Sequence, residues 1–366
     1  MHAQPFNSFK EIRVAAEKKL VVRFDNWVDP AFAQRLAQES DIELRTNKRE
    51  GNDEQGWRDL AQAHVYQISA AKDETPKRWF ATEELLAKAP NVLCVSSTGA
   101  GFDTVDVPAC TRAGVLVVNQ AGANAQSVAE SALGLILDVS RRITESDRRL
   151  RREIGFPREE LMGREICGKV LGLVGMGHVG TKVAALGRAF GMDVIGYDPY
   201  LTSEEIGRRG ARATSLDELL RACDFLSIHC PRNPETMHMI NAEAFGKMKK
   251  GAMFVSTARG GIHDETALAD AMRAGHIAGA GLDVWEQEPP PLDHPLMGFE
   301  NVVVNFHTAG VTNEARRNTA SYSAEQLVGV LKGGYPPRII NPEVWPAYAK
   351  RFEQILGFRV QSAASE

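Results

Sequence analysis

The stretch KVLGLVGMGHVGTKVAALGRAF, residues 169–190, decides the fold. Its first part, KVLGLV, is a short apolar run typical of a buried strand, and its last part, TKVAALGRAF, has the apolar spacing of a helix. Between them lie Gly175, Gly177 and Gly180, which suit a tight turn. The sequence therefore predicts a strand, a glycine-rich turn and a helix in direct succession.

This strand, turn and helix predict a dinucleotide-binding site. The first glycine permits the turn, the second lets the backbone approach a pyrophosphate, and the third lets helix and strand pack closely. The phosphates then lie at the helix N-terminus, beside His178 and Val179.

Asp198 ends the next predicted strand, DVIGY. A carboxylate there accepts hydrogen bonds from the ribose hydroxyls and repels a 2'-phosphate, which favours NAD over NADP. Arg208 and Arg209 lie well beyond the strand end, so we expect them to offer a 2'-phosphate no support. The alternative is that Asp198 only opens the Asp-Pro turn.

Strands alternate with helices on both sides of this motif. Upstream, strands are predicted at LVVRF from Leu20 and at 64–70, 91–97 and 114–122, with helices after the first strand and at 82–90. From residue 169 onward, six strands are predicted, in KVLGLVGMG, DVIGYD, DFLSIHC, AMFVSTARG, IAGAGLDV and NVVVNFH.

The predicted fold class is α/β, with two doubly wound parallel-sheet domains. A Rossmann cofactor domain is inserted into a discontinuous, flavodoxin-like substrate domain, and the long apolar segment 124–142 marks the crossing. The predicted boundaries are 1–125 for the first part of the substrate-binding domain, 126–311 for the NAD-binding domain, and 312–366 for the return to the substrate-binding domain.

Composition excludes several classes of partner. The 43 basic and 47 acidic residues give a net charge of -4 without long like-charge runs, which argues against nucleic acid and membrane surfaces. The start MHAQPFNSFKEIR lacks the apolar core of a secretory signal, which predicts a cytoplasmic location. The 5 cysteines are scattered and predict reduced thiols. We expect a small-molecule partner and no metal site.

Three side chains at successive strand ends predict the chemistry. Arg259, in STARGG, offers paired donors for a substrate carboxylate. His307, in NFHTAG, is suited to protonate the oxygen of a ketone, and Glu288, in GLDVWEQEPP, is suited to orient its ring. These residues predict hydride transfer between NAD and C2 of a small 2-hydroxy or 2-keto acid. Each residue taken singly is also compatible with a structural or surface role.

Over residues 64–335 the chain resembles the D-isomer-specific 2-hydroxyacid dehydrogenase family. The resemblance implies that Arg259 binds substrate, that His307 is the acid/base and that Glu288 supports it. The matching segments are SSTGAGFDTVDV (96–107), NAQSVAESALGLIL (124–137), GLVGMGHVG (172–180), TARGG around Arg259, GAGLDVWEQEP (279–289) and HTAGVT (307–312).

The same resemblance implies further contacts. Asp283 is expected near the nicotinamide carboxamide, and Cys230 and Pro231 along the adenosine. It implies a homodimer through the apolar segment 127–143, which also holds more apolar surface than one domain should need. The predicted cofactor site further includes Thr236, Thr257, Ala258, His307 and Gly310. Backbone N–H groups of the loop Ser97, Thr98, Gly99, Ala100 and Gly101 are expected to bind the substrate carboxylate, together with Arg259 when the domains close.

Two departures from the family bear on the substrate. Ser97 stands where phosphoglycerate dehydrogenases typically have an arginine, which weakens the case for a phosphorylated substrate, and Phe306 replaces a frequent proline. The 59 residues after His307, 308–366, predict no serine-binding regulatory domain. Specificity is expected from the loop 69–80. Its candidate side chains, which a solvated charged loop would explain equally well, are Lys72, Lys77, Arg78 and Trp79.

Two other functions fit the same motifs. One is a non-catalytic NAD-binding sensor or co-repressor, since such relatives can keep all three residues. The other is phosphite oxidation within the same superfamily. Formate oxidation is disfavoured, because formate dehydrogenases carry a glutamine at the position of Glu288.

Overall fold

The computed structural model describes residues 18–361. The segment MHAQPFNSFKEIR, on which the predicted location depends, lies outside the described residues. The chain forms two compact units, one of Met1–Gln120 with Ala320–Glu366 and one of Ala121–Thr319, here called unit 1 and unit 2.

Unit 1 contains a sheet of five parallel strands. In chain order its elements are β1 (Lys19–Phe24), α1 (Ala31–Leu36), β2 (Ile42–Asn47), α2 (Asp53–Gln62), β3 (Val65–Ile68), α3 (Glu83–Lys88), β4 (Cys94–Ser97), α4 (Val107–Arg112), β5 (Leu116–Val118) and, after the return of the chain, α13 (Trp345–Leu356). The strand order is β2-β1-β3-β4-β5, the flavodoxin-like order that the sequence predicts.

Strand β2 and helix α2 are absent from the sequence-based prediction. The run IELRTN alternates apolar and polar residues and pairs only with β1, at the sheet edge, so it lacks the continuous apolar run of a central strand. Helix α2 contains Gly56, which weakens its helical pattern in the sequence, and an added Cβ there would lie 2.9 Å from the ring of Trp79. The loop 69–80 therefore follows the third strand of the chain.

The loop 69–80 contributes to the core of unit 1. Trp79 is fully buried and stacks on Phe24 with 4.2 Å between ring centroids. Arg78 forms ion pairs with Glu50, at 2.7 Å, and Asp53, at 2.8 Å. The prediction that Trp79 is a specificity side chain is therefore wrong, because its apolar surface is already used in packing.

Unit 2 contains a sheet of seven parallel strands. In chain order its elements are α5 (Ala125–Arg141), α6 (Ile143–Leu150), β6 (Val170–Val174), α7 (His178–Ala189), β7 (Asp193–Tyr197), α8 (Ser203–Arg208), β8 (Arg212–Ala213), α9 (Leu216–Ala222), β9 (Phe225–Ile228), α10 (Ala242–Lys247), β10 (Ala252–Ser256), α11 (Glu265–Arg273), β11 (Ile277–Leu282), β12 (Val302–Val304) and α12 (Asn313–Leu331), within which the boundary to unit 1 falls.

The strand order is β12-β11-β10-β9-β6-β7-β8. From β6 the chain first adds strands on one side, β7 and β8, and then on the other, β9 to β12, as in a Rossmann fold. The predicted fold class, with two doubly wound parallel sheets, is confirmed. Six of these strands are predicted from the sequence. Strand β8 is not, because its two residues are too few to form a pattern.

Helix α5 packs closely on β11. An added Cβ would lie 2.5 Å from Val139 at Gly279 and 2.8 Å from Leu135 at Gly281, so both glycines are needed for this approach. The apolar residues of α5 are therefore buried within unit 2. The argument that this segment carries surplus apolar surface for a dimer is wrong. None of the helices in residues 18–361 is long and apolar enough to cross a membrane.

The buried ring of His263 predicts a pH dependence of stability. Neither ring nitrogen has a hydrogen-bond partner, and burial lowers the pKa of His263 to about 4. An unfolded histidine titrates near about 6.5, so the unfolded state binds more protons below this pH and stability falls as the pH decreases toward 4.

We expect His263→Leu to flatten this dependence by up to about 1.4 kcal/mol per pH unit between pH ~6.5 and ~4. Urea unfolding at several pH values in that window measures the slope. Unfolding at about pH 7.5 gives the packing cost of the substitution alone. A slope equal to that of the wild type would contradict the assignment.

Candidate active site

The carboxyl ends of six strands of unit 2 bring together residues that are far apart in sequence. Parallel strands end at one edge of the sheet, which is where doubly wound folds bind ligands. The residues that follow β6, β7, β9, β10, β11 and β12 are, respectively, Gly175, Asp198, Cys230, Thr257 to Arg259, Asp283, and Asn305 to His307.

The glycine-rich turn has the geometry of a phosphate site. Gly175 has φ +91°, and an added Cβ there would lie 2.6 Å from the backbone nitrogen of Cys230. At Gly180 an added Cβ would lie 2.0 Å from the carbonyl oxygen of Gly175. Gly177, by contrast, is exposed with open space beside it, and no side chain caps the helix that starts at His178. These residues fit a dinucleotide pyrophosphate at the N-terminus of α7.

Asp198 and Arg209 bind the two backbone polar groups of Met176, a residue of this turn. Asp198 accepts hydrogen bonds from the N–H groups of Met176, at 2.9 Å, and Tyr200, at 3.1 Å. Arg209 donates to the carbonyl oxygen of Met176 at 2.7 Å. Arg209 thus reaches the turn although it lies well beyond the strand end, because the chain after α8 returns there; that it offers a 2'-phosphate no support stays a prediction. Asp198 does stabilise the Asp-Pro turn, and its oxygens retain further acceptor capacity for a ribose.

Glu288 and His307 form a hydrogen-bonded pair. The distance from His307 Nδ1 to Glu288 Oε2 is 2.9 Å, and both side chains are partly exposed. Burial opposes ionisation of Glu288, but the hydrogen bond and charge of His307, the N–H of Trp285 and the charge of Arg259 together lower its pKa. These contacts favour the ionised form of the Glu288 carboxylate, and the hydrogen bond fixes the orientation of the His307 ring.

Asp283 fixes the backbone that carries His307. Its fully buried carboxylate accepts hydrogen bonds from the N–H groups of Thr308, at 2.8 Å, and Ala309, at 3.1 Å to each oxygen. The N–H of His307 donates to the Asp283 carbonyl at 2.7 Å. His307 has φ 49°, in the left-handed region, which these bonds maintain. The nicotinamide contact expected for Asp283 stays a prediction.

Arg259 is the third residue after β10 and lies close enough to Glu288 for its charge to act on that carboxylate. Its Nη1 donates to the carbonyl oxygen of Ala258 at 2.7 Å, and its charge contributes to the lowered pKa of Glu288. The next residue, Gly260, packs against the backbone of Trp285, where an added Cβ would lie 1.8 Å from the carbonyl oxygen. Arg259 and the segment that carries Glu288 are therefore held in a fixed relation.

Other predicted cofactor residues lie along the same edge. The Thr257 hydroxyl is buried without a hydrogen-bond partner, as is Nδ1 of His229, which suits a site that binds a polar ligand. Burial raises the pKa of the Cys230 thiol to about 11, so this cysteine is not a thiolate. Thr236 donates to the carbonyl oxygen of Pro231 at 2.8 Å. At Gly310 an added Cβ would lie 2.6 Å from Asn124 Nδ2.

In unit 1, the loop of residues 97–101 follows β4, and its carbonyl groups are held by the protein. Asn119 Nδ2 donates to the carbonyl of Ala100 at 2.6 Å, the N–H of Gln120 to that of Gly99 at 2.8 Å, and the Ser97 hydroxyl to that of Gly101 at 2.5 Å. These bonds fix the orientation of the loop peptides.

Within the described residues, no group of histidine, cysteine, aspartate and glutamate side chains is arranged to hold a metal ion.

Two residues contact the site in ways that the sequence analysis did not predict, Arg209 and Glu265. Arg209 reaches the glycine-rich turn only through the return of the chain after α8, and Glu265 contacts the segment of Glu288 from the start of α11.

Comparison with known proteins identifies the family. The sequence pattern described as the D-isomer specific 2-hydroxyacid dehydrogenase NAD-binding domain matches residues 133–309. The glyoxylate reductase of Aeropyrum pernix is 42% identical over 268 residues, which are 71% of this chain and 80% of that protein. The chain belongs to the D-isomer-specific 2-hydroxyacid dehydrogenase family.

Two further relatives illustrate the range of this family. The D-3-phosphoglycerate dehydrogenase of Mycobacterium leprae is 45% identical over 258 residues, 70% of this chain. The chain spans only 48% of the length of that relative. The crystal structure of Aquifex aeolicus D-lactate dehydrogenase with NAD and lactic acid has a TM-score of 0.72 and 29% identity, and the match covers 86% of this chain and 96% of that one.

The arrangement of Asp198 and Arg209 predicts how cofactor preference is set. We expect the wild type to prefer NADH, because the Asp198 carboxylate repels a 2'-phosphate. Asp198→Ala should lower the NADH to NADPH ratio of kcat/KM by about tenfold or more, since the repulsion is lost while Arg209 remains beside the turn.

Adding Arg209→Gln to Asp198→Ala should reverse the part of that change that comes from the charge of Arg209. Arg208→Gln is the matched control, because Arg208 instead lies 3.8 Å from Glu204 on the exposed face of α8. Equal efficiency of NADH and NADPH in the wild type would contradict this account.

Proposed function

We propose that this chain is an NAD-dependent dehydrogenase that interconverts a small D-2-hydroxy acid and its 2-keto acid. The observation that carries the proposal is the 2.9 Å hydrogen bond between His307 and Glu288, at the sheet edge that also carries Arg259 and the glycine-rich turn. Unit 2 is the NAD-binding domain, and unit 1 is proposed as the substrate-binding domain.

The nicotinamide of bound NAD(H) supplies the hydride acceptor or donor. His307 supplies the proton: its Nδ1 is bonded to Glu288, so Nε2 is the nitrogen left to protonate the oxygen of the keto acid. Glu288 keeps the ring oriented and favours its protonated form. General acid catalysis of this kind contributes on the order of 10² to 10⁴ in rate.

Binding of the substrate carboxylate is assigned to Arg259. Unit 1 offers a second candidate set of donors in the backbone N–H groups of residues 99–101, since the N–H of Thr98 already donates to the Ile68 carbonyl at 2.8 Å. The planar guanidinium offers two parallel donors and stays charged. In the loop, the carbonyls of Gly99, Ala100 and Gly101 are already engaged within unit 1, which supports the use of its N–H groups for ligand. Ser97 in place of an arginine favours a substrate without a phosphate.

A panel assay tests this function. NADH oxidation is measured with glyoxylate, hydroxypyruvate, pyruvate, 2-ketobutyrate, phenylpyruvate and phosphohydroxypyruvate. We expect turnover with at least one small unphosphorylated acid. A protein that binds NADH but turns over none of them would instead favour the alternative of a non-catalytic NAD-binding sensor or co-repressor, and phosphite with NAD tests the other alternative.

His307→Ala should reduce turnover on the best acid by about 10² to 10⁴ while NADH binding, measured by fluorescence titration, stays close to that of the wild type. The control is His276→Ala, because this partly buried ring contacts the carbonyl oxygen of Met248, before β10 at the opposite end of that strand. Near-normal turnover of the His307 variant would refute the role of His307.

Arg259→Lys keeps the charge but loses the paired donor geometry. We expect the KM of the acid to rise and kcat to fall together, so that kcat/KM drops on the order of 10²-fold, with unchanged NADH affinity. Arg273→Lys, on the exposed surface of α11, is the matched control. If Arg259→Lys changed neither constant, the carboxylate would have to bind elsewhere.

A homodimer is also part of the proposal, and the cytoplasmic location stays a prediction. Four exposed apolar side chains within residues 143–162 support self-association. Their exposed fractions are 56% for Ile143, 68% for Leu150, 100% for Ile154 and 75% for Met162.

We expect light scattering to give twice the 40.1 kDa mass of the chain. Leu150→Glu combined with Ile154→Glu should give the monomer mass, because burying two carboxylates opposes association. Leu292→Glu, at a side chain that is 98% exposed elsewhere in unit 2, is the control. A wild type of monomer mass at all working concentrations would contradict the dimer.

A further inference from the structure

Residues 283–289, here called the 283–289 loop, contain two acidic residues of the site, Asp283 and Glu288. The loop starts at Asp283 and ends beyond Glu288, and it has no regular secondary structure. An irregular segment needs outside contacts to place a side chain with the accuracy that proton transfer requires. The contacts that hold this loop therefore bear directly on the acid/base pair.

Glu265 provides one of these contacts from a buried position. It is the first residue of α11, and its side chain is 9% exposed. Oε1 accepts a hydrogen bond from the backbone N–H of Glu286 at 2.7 Å, and Oε2 lies 2.9 Å from His294 Nε2. Both oxygens of the carboxylate are thus used, one of them on the backbone of the 283–289 loop.

The bonds of His294 show why a carboxylate is needed. Nδ1 of His294 accepts from the N–H of Leu296 at 3.3 Å, so Nε2 carries the hydrogen and donates it to Glu265. Glu265 therefore faces two donors. Only an ionised carboxylate accepts at two separate oxygens, because a glutamine would present its own N–H group to one of the donors.

The contact at Glu286 is two residues from Glu288 and one from Trp285. Trp285 is almost fully buried, its ring meets His294 edge-on at 5.4 Å, and its indole N–H donates to the carbonyl oxygen of Asn305 at 3.0 Å. The backbone N–H of Trp285 donates to Glu288 Oε1 at 3.1 Å. A continuous set of contacts thus runs from His294 and Glu265 through the loop to Glu288 and His307.

We propose that Glu265 is a positioning residue for proton transfer, whose carboxylate clamps the backbone of the 283–289 loop at Glu286 and thereby holds Glu288 against His307. This inference rests on the acid/base roles proposed for Glu288 and His307. Burial raises the pKa of Glu265, and the groups that face it are His294 and Glu286, the latter paired with His238 at 3.3 Å. Residues that orient the ligands of a bound metal typically contribute about 10 to 100-fold to activity, and we expect an effect of the same size for a residue that orients Glu288.

The test compares Glu265→Ala, Glu265→Gln and the matched control Glu286→Gln in the full chain. The control removes a carboxylate from the same loop but keeps the backbone N–H that Glu265 binds. We measure kcat and the KM of NADH for keto-acid reduction, the pH dependence of kcat, and the thermal unfolding midpoint.

Glu265→Ala should lower kcat by about 10 to 100-fold with little change in the KM of NADH. Reduction needs protonated His307, so kcat falls as the pH rises. When the Glu288 carboxylate no longer contacts the His307 ring, this decrease in kcat begins at a lower pH. We expect this displacement in Glu265→Ala, a smaller one in Glu265→Gln, which keeps one acceptor, and none in Glu286→Gln.

Glu288→Gln separates this inference from the function it rests on. If Glu265 acts through Glu288, Glu265→Ala combined with Glu288→Gln should displace the pH profile no further than Glu288→Gln alone. Glu265 variants that are less stable but keep the wild-type kcat and pH profile would overturn the positioning role. If Glu265→Ala does not fold, the isosteric Glu265→Gln decides by the same criteria.

If Glu288→Gln itself leaves the profile unmoved and His307→Ala retains turnover, the proposed acid/base function fails first. If these two variants behave as expected while both Glu265 variants match the control, only the inference on Glu265 fails.

Discussion

Hydrogen bonds from the backbone of residues 307–309 to the carbonyl oxygen and the buried carboxylate of Asp283 hold together the part of the molecule where chemistry is proposed. A carboxylate without solvent is costly unless its oxygens are bonded, and here burial raises the pKa of Asp283 while the N–H groups of Thr308 and Ala309 lower it. In return, the turn keeps His307 at φ 49°, a conformation that costs energy for a residue with a Cβ. The position of the imidazole, and with it that of Glu288, depends on this arrangement.

The seven-stranded sheet explains how residues so distant in sequence meet. Apart from β8, the strands are short and largely buried, and each delivers the residues that follow it to the same edge. Because the strands are parallel, the turn at Gly175, the arginine after β10 and the histidine after β12 arrive from the same direction. The sheet thus fixes which residues meet, whereas the irregular 283–289 loop needs contacts of its own.

Much of this was predictable from sequence, since the decisive signals are local. Gly175, Gly177 and Gly180 have fixed roles in one turn, and apolar runs followed by Arg259 or His307 mark strand ends. The failures share a different cause. The burial of Trp79, the return of Arg209 to the turn and the contact between Glu265 and Glu286 all depend on packing between segments that no local pattern connects. Strand β8 is too short to leave a pattern.

Gly260 has a consequence for how such a protein diversifies. The carbonyl oxygen of Trp285 occupies the place where any larger residue would put its first side-chain atom, 1.8 Å from an added Cβ. A residue larger than glycine at position 260 would therefore require the backbone at Trp285 to move. A substitution that displaces Arg259 would therefore also have to displace the 283–289 loop, so a change of substrate preference is more readily obtained at positions outside these two segments.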